Sequence, residues 1–147
     1  MKLDERNLRL LQLLRDDPRM RISVLAKKLG MSAPATRERL QRLEEAGVIS
    51  GYRLDLSARA LGYGVTAFLR IRPSPGRLGK IAELADALPQ ITECHRITGE
   101  DCFILKVHVR QLDDLERVID RFLQYGQTTT SIVQSSPVPG RPLPLPR

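Results

Sequence analysis

The sequence predicts an α+β chain in which an N-terminal winged helix-turn-helix is joined to a ferredoxin-like β-α-β-β-α-β domain. Three observations carry that expectation. Residues 20–49 hold two apolar stripes of helical period separated by a glycine. Beyond residue 64, strand and helix signals alternate in the order strand, helix, hairpin, helix, strand. The 147 residues suffice for one ordinary domain or two small ones, and the charge favours two. Residues 1–60 carry thirteen Lys and Arg against eight Asp and Glu, net +5, whereas 61–147 carry eleven against nine, net +2.

A first helix begins at Asp4, a capping residue, and runs through Leu8, Leu11 and Leu14 until Asp16-Asp17-Pro18 stops it. Ile22, Leu25, Ala26 and Leu29 then mark one face of a second helix. Gly30 suits the left-handed residue that ends it, and Ser32 can cap the next by accepting a backbone N–H. Pro34 falls in the first turn, where its missing N–H would have gone unpaired in any case. Thr36, Leu40 and Leu43 form the stripe of this third helix, and Gly47 closes it. Val48 to Asp55 is β-prone and predicts a short wing or strand, followed by a connection over Ser57 to Gly64.

At 100° per residue, Arg37, Glu38, Gln41 and Arg42 occupy the arc opposite that stripe, with Arg39 on its flank. From Arg19 to Arg42 there are seven basic residues against one acid, a local net of +6. A polar, basic helix of this size fits the major groove of duplex DNA, where Arg reads guanine and Gln reads adenine. Ser32 to Arg42 is therefore the expected recognition segment. Pro34, Thr36, Arg37, Glu38 and Gln41 are its base-facing candidates, and Lys27, Lys28, Arg39 and Arg42 its phosphate contacts. Glu38 is also placed to pair with Arg42 at i+4.

In the second part, Val65 to Ile71 reads as a strand broken by Pro73 and Pro75, and Leu78, Ile81, Ala85 and Leu88 as a helix ended by Pro89. Ile91 to Thr98, a turn at 99–101 and Cys102 to Val109 read as a hairpin. Asp113 and Glu116 resemble a capping box for a helix with Leu115, Val118, Ile119 and Phe122 on one face. A last strand spans Thr129 to Gln134. The strands at 65–71 and 103–109 carry apolar residues on both faces, which predicts a partner subunit, a homodimer, on the face away from the helices. Five of the ten prolines fall in the last eleven residues, so the tail is expected to be extended or disordered. The expected organisation is thus a DNA-binding domain at 1–50, a linker strand at 51–63, the ferredoxin-like domain at 64–136 and a Pro-rich tail at 137–147.

Two cysteines, Cys94 and Cys102, make no disulfide framework and read as small buried hydrophobes. Neither a signal peptide nor an apolar run of about 20 residues is present, so no membrane partner is expected and the cytoplasm is the expected location. Catalysis, a cofactor and a metal are not expected. The only histidines, His95 and His108, lie in strands; Cys94 and His95, being adjacent on a strand, face opposite sides. RNA recognition on the sheet would need stacking aromatics, and the central strands offer Phe103 without the accompanying Gly and aromatic pattern.

The chain resembles the leucine-responsive regulator (Lrp/AsnC) family of bacterial and archaeal transcription factors over about Leu3 to Ser136. The resemblance rests on Leu3-Asp4, Leu25-Ala26, Leu29-Gly30 with Ser32, the run from Arg42 through Leu43-Glu44-Glu45-Ala46-Gly47-Val48 to Ile49, and Thr98-Gly99-Glu100. It implies a regulator whose C-terminal domain dimerises through its sheet, often assembles to an octamer, and binds a small effector, commonly an amino acid. The effector site it implies lies between dimers near the hairpin turn. It nominates Thr98, Gly99, Glu100 and Asp101, joined by Thr129, Thr130 and Ser131. Gly turns expose backbone N–H groups to a carboxylate and acids pair with an ammonium. Many members read Gly-Asp-aromatic-Asp here, whereas this chain has Cys102 in the place of the second acid; either Asp101 substitutes or that amine contact is lost. The alternative to an effector-gated regulator is an architectural protein that holds DNA through phosphate contacts alone.

Overall fold

The computed structural model describes residues 3–146, so Met1, Lys2 and Arg147, at the ends of the expected first domain and tail, lie outside the described residues. The chain forms two compact units. One comprises residues 3–54 together with 138–146, and the other is Asp55–Pro137.

Three helices make up the first unit: α1 (Glu5–Asp16), α2 (Ile22–Leu29) and α3 (Ala33–Glu45). Each boundary has a chemical cause. The Asp4 carboxylate accepts the Asn7 backbone N–H at 2.7 Å and starts α1. Gly30 ends α2 at φ +62°, a conformation that side chains with a Cβ resist. Ser32 Oγ accepts the Ala35 N–H at 3.3 Å to start α3. The helices pack together by burying Leu10, Leu13, Leu25, Ala26 and Leu43. The covered stripe of α1 is therefore Asn7, Leu10 and Leu13, not Leu8, Leu11 and Leu14, which are half-buried. Two leucine stripes of the same period run side by side there, and periodicity alone does not choose between them.

The expected linker strand does not form: 50–57 has no regular structure and a turn follows at 58–62. Tyr52, Leu54 and Leu56 alternate as strand residues do, but a strand needs a neighbour to take its backbone N–H and C=O groups, and this segment has none among the described residues. Leu54 is left 82% exposed.

In the second unit, β1 (Val65–Pro73), α4 (Leu78–Ala87), β2 (Ile91–Arg96), β3 (Phe103–Val109), α5 (Leu112–Leu123) and β4 (Gly126–Ile132) follow in order. Their antiparallel sheet has the order β2-β3-β1-β4, the ferredoxin-like arrangement. Ile81, Ala85 and Leu88 from the α4 segment and Leu115, Val118 and Phe122 from α5 close over Ala67, Leu69, Ile71, Phe103, Leu105, Val107 and Val109. Burial alternates strictly along β3, which corrects the expectation of two apolar faces. The face away from the helices is mixed: Phe68 and Ile104 stand among Thr66, Arg70, Lys106 and His108.

Several boundaries also differ from expectation, and β1 runs on through Arg72 to Pro73 instead of breaking there. β2 stops at Arg96, two residues early, and β3 starts at Phe103. β4 begins at Gly126 rather than Thr129 and ends at Ile132, since Gly and Gln read poorly as strand residues although pairing with Arg72 and Pro73 makes them so. The N-cap of α5 is Gln111, without a side-chain cap bond; Asp113 sits inside the first turn, so there is no capping box. In the tail, which has no helix or strand among its described residues, Pro142, Leu143 and Leu145 line one groove with Leu11, Leu14 and Tyr52.

Candidate functional site

On α3, Arg37, Glu38, Gln41 and Arg42 are all exposed on the side away from the buried Leu43. Arg42 donates to the Glu38 carboxylate one turn earlier, and Gln41 Nε2 donates to Glu45 Oε1 at 2.7 Å. These pairs fix the direction of long side chains that would otherwise lose rotamer freedom on binding. Lys27 and Lys28 are exposed in the last turn of α2, and Ser32 and Pro34 are exposed where α3 begins.

Two expected members of this face belong elsewhere. Thr36 is fully buried and its hydroxyl donates to the Ser32 carbonyl at 2.9 Å, so it faces the helix core, not a base. Arg39 reaches across to α1, donating to Asp4 Oδ2 at 2.6 Å and to Asn7 Oδ1 at 2.7 Å. A guanidinium held by two acceptors in its own fold is a clasp between α1 and α3, not a free phosphate contact. The sequence offered one sign of it: Asp4 and Asn7 are both polar at the start of α1, and Arg39 lies beside the apolar stripe of α3 rather than opposite it.

The Arg39 bond holds the Asp4 carboxyl below its ordinary value of 3.8. A depressed carboxylate pKa contributes stability that is complete above the unfolded value and is lost as pH falls through the folded one. Asp4→Asn and Arg39→Ala are thus expected to lower the melting temperature of the first unit, Arg39→Ala by more because it also loses the Asn7 bond, and the double variant by no more than Arg39→Ala alone. Both losses should shrink in melts carried out below about pH 4. Neither change should alter the slope of log affinity for DNA against log salt; a shallower slope for Arg39→Ala would restore its phosphate role.

In the hairpin between β2 and β3, Gly99 adopts φ +106° and Glu100 is 79% exposed. Arg72, near the end of β1, donates to Glu100 and lies 3.9 Å from Asp101, so both acids already face a guanidinium. Composition gave no sign of this partner; it follows from the register that carries β1 past the hairpin. Thr129 pairs with Arg70 and Ser131 with Phe68, which places both on the open face of the sheet. Thr130 pairs with the buried Leu69 and turns to the helix side, away from the other two. Thr98 is exposed in the turn. Cys102 is half-buried, its Sγ 3.8 Å from the Glu100 carbonyl, whereas Cys94 is exposed, contrary to the expectation that both are buried. Residual burial still pushes the Cys94 thiol up, away from reactivity.

Residues 66–143 match the Lrp/AsnC ligand binding domain, and residues 3–50 match a winged helix-turn-helix DNA-binding domain. The chain belongs to the Lrp/AsnC family. This is a family of DNA-binding transcriptional regulators rather than enzymes. The HTH-type transcriptional regulator LrpC of Bacillus subtilis is 30% identical over 135 residues, 92% of this chain and 94% of that one. Its solved structure superposes with a TM-score of 0.88 at 29% identity, covering 95% of this Lrp/AsnC chain and all of the other. The leucine-responsive regulatory protein of Rhizobium meliloti is 38% identical over 109 residues, 72% and 70% of the two chains. A feast or famine regulatory protein from M. tuberculosis, solved with L-methionine, gives a TM-score of 0.88 at 27% identity, covering 97% and 99%.

Proposed function

We propose that this Lrp/AsnC chain is a sequence-specific regulator whose α3 enters the major groove of its operator and whose affinity is set by a small effector, an amino acid or a close relative of one. The observation that carries the reading is the exposed, polar side of a capped helix backed by a buried stripe. Pro34, Arg37, Glu38 and Gln41 face the bases, with Ser32 at the helix start, and Lys27, Lys28 and Arg42 hold phosphates. The effector is received at the hairpin by Thr98, Gly99, Glu100 and Asp101, with Thr129 and Ser131 on the adjoining face. The relative solved with L-methionine supports the amino-acid class. The open sheet face carries the homodimer, Phe68 and Ile104 supplying its apolar centre, and dimers assemble to an octamer in the cytoplasm. Paired α3 helices then engage half-sites about one helical turn apart. The effector shifts one assembly towards another only by its difference in affinity for the two.

Selection of genomic fragments by the purified protein, at two salt concentrations and with or without the twenty amino acids, tests this reading. A discrete set of palindrome-like sites that changes with the amino acids is the expected result. Arg72 favours the architectural reading in one respect, because the hairpin acids already have a cation. Diffuse binding that collapses with salt and ignores the amino acids would establish that second reading.

A further inference from the structure

At the end of the sheet opposite the hairpin lies a cleft of about 400 Å³. It is bounded by the turn that leads from α4 to β2, the end of β3 and one face of α5 from Asp114 to Arg121. Three arginines, Arg110, Arg117 and Arg121, line it against one acid, Asp114. Arg117 is held by Asp114 at 3.1 Å, whereas Arg110 and Arg121 make no ion pair among the described residues. Arg110 is nonetheless held in place: its guanidinium lies 5.6 Å from the centroid of the Tyr63 ring. A Cβ on Gly62 would come within 2.9 Å of Arg110 Nη1, so this glycine leaves the room the guanidinium occupies.

Beside these cations, Gln90 lines the same cleft. Its backbone carbonyl accepts the His108 N–H at 2.8 Å, which fixes the residue. Its side-chain Oε1 is shielded from solvent and has no hydrogen-bond partner. An acceptor in that state gains from any N–H or O–H brought to it. Leu88 and Val118, both buried, supply an apolar floor.

We propose that this cleft is a second ligand site, distinct from the hairpin, for a small dicarboxylate that also carries a hydrogen-bond donor. The two unpaired guanidiniums each take a carboxylate, in the two-pronged geometry that arginine favours. The donor goes to Gln90 Oε1, whose side chain turns into the cleft to receive it. Inorganic phosphate meets the charge but leaves the orphan acceptor unsatisfied and the apolar floor uncovered.

Calorimetric titration of the full chain with L-glutamate, 2-oxoglutarate and inorganic phosphate tests the assignment. L-glutamate is expected to bind saturably, 2-oxoglutarate about tenfold more weakly because it lacks the amine, and phosphate more weakly still. Arg110→Ala and Arg121→Ala should each weaken L-glutamate about tenfold or more. Gln90→Leu should erase the preference over 2-oxoglutarate without weakening 2-oxoglutarate itself. Because Arg110 packs on Tyr63, Arg110→Lys, which keeps the aliphatic stem, separates lost recognition from lost folding and should also weaken L-glutamate. An amino acid taken up at the hairpin would add a second set of sites to the L-glutamate isotherm; Glu100→Ala should remove that set and leave the one that Arg110→Lys and Arg121→Ala weaken, so that this cleft and the hairpin site stand or fall separately. The proposal is overturned by no saturable binding of L-glutamate, by equal affinity for L-glutamate and 2-oxoglutarate, or by L-glutamate affinity unmoved in both Arg110→Lys and Arg121→Ala.

Discussion

Phe122→Ala is expected to destabilise the second unit by about 3–5 kcal/mol, the largest single effect among the changes considered for this chain. The ring is fully buried on α5, in the core that joins both helices to the central strands. Truncation removes its transfer free energy and leaves a cavity that the hydrogen-bonded strands beneath it cannot fill by collapse. A domain of this size has only about 5–15 kcal/mol to lose, so the variant should melt early or fail to accumulate. The neighbouring Leu123 is 54% exposed, and Leu123→Ala should cost within about 0.5 kcal/mol in the same urea titration. Comparable losses for the two variants would mean that α5 docks through a different face.

Arg37→Ala is expected to relax base preference at one position of the operator by about 1–3 kcal/mol, and to weaken binding to random DNA much less. Lys28→Ala should behave in the opposite way, weakening all sequences alike and reducing the salt slope by about 1. The contrast follows from position. Arg37 stands on the outer side of α3 without an ion-pair partner among the described residues, whereas Lys28 sits in the last turn of α2, beside the entry to α3. Competition binding of the operator and its single-base variants, repeated over a range of salt, reads both effects. Equal losses on operator and random DNA for Arg37→Ala would remove it from base reading.

The elements of both units were legible in the residues because local chemistry decides them. Asp4, Gly30 and Ser32 set helix boundaries by hydrogen bonding and backbone conformation, and the β-α-β-β-α-β order follows from the alternation of periods. What local chemistry does not contain is the identity of a distant partner. Arg39 and Asp4 are thirty-five residues apart, and Arg72 and Glu100 twenty-eight; each pairing depends on how elements pack. For the same reason Arg39 reads in the sequence as one more cation of a basic helix. The linker strand erred in the other direction. Tyr52, Leu54 and Leu56 have the side chains of a strand, but pairing is a property of two segments, and no second segment lies beside this one among the described residues. Thr130 shows the limit at the finest scale, since a strand's register decides which of three consecutive hydroxyl residues turns inwards.

The tail carries a consequence of its own. Residues 138–146 belong with the first unit although β4 and the rest of Asp55–Pro137 come between, so the backbone passes from one unit to the other twice. The second unit is, topologically, an inserted loop whose two ends are both anchored in the DNA-binding part. A fragment cut after residue 54 would keep all three helices but lack Leu143 and Leu145, the tail leucines that line the groove with Leu11 and Leu14.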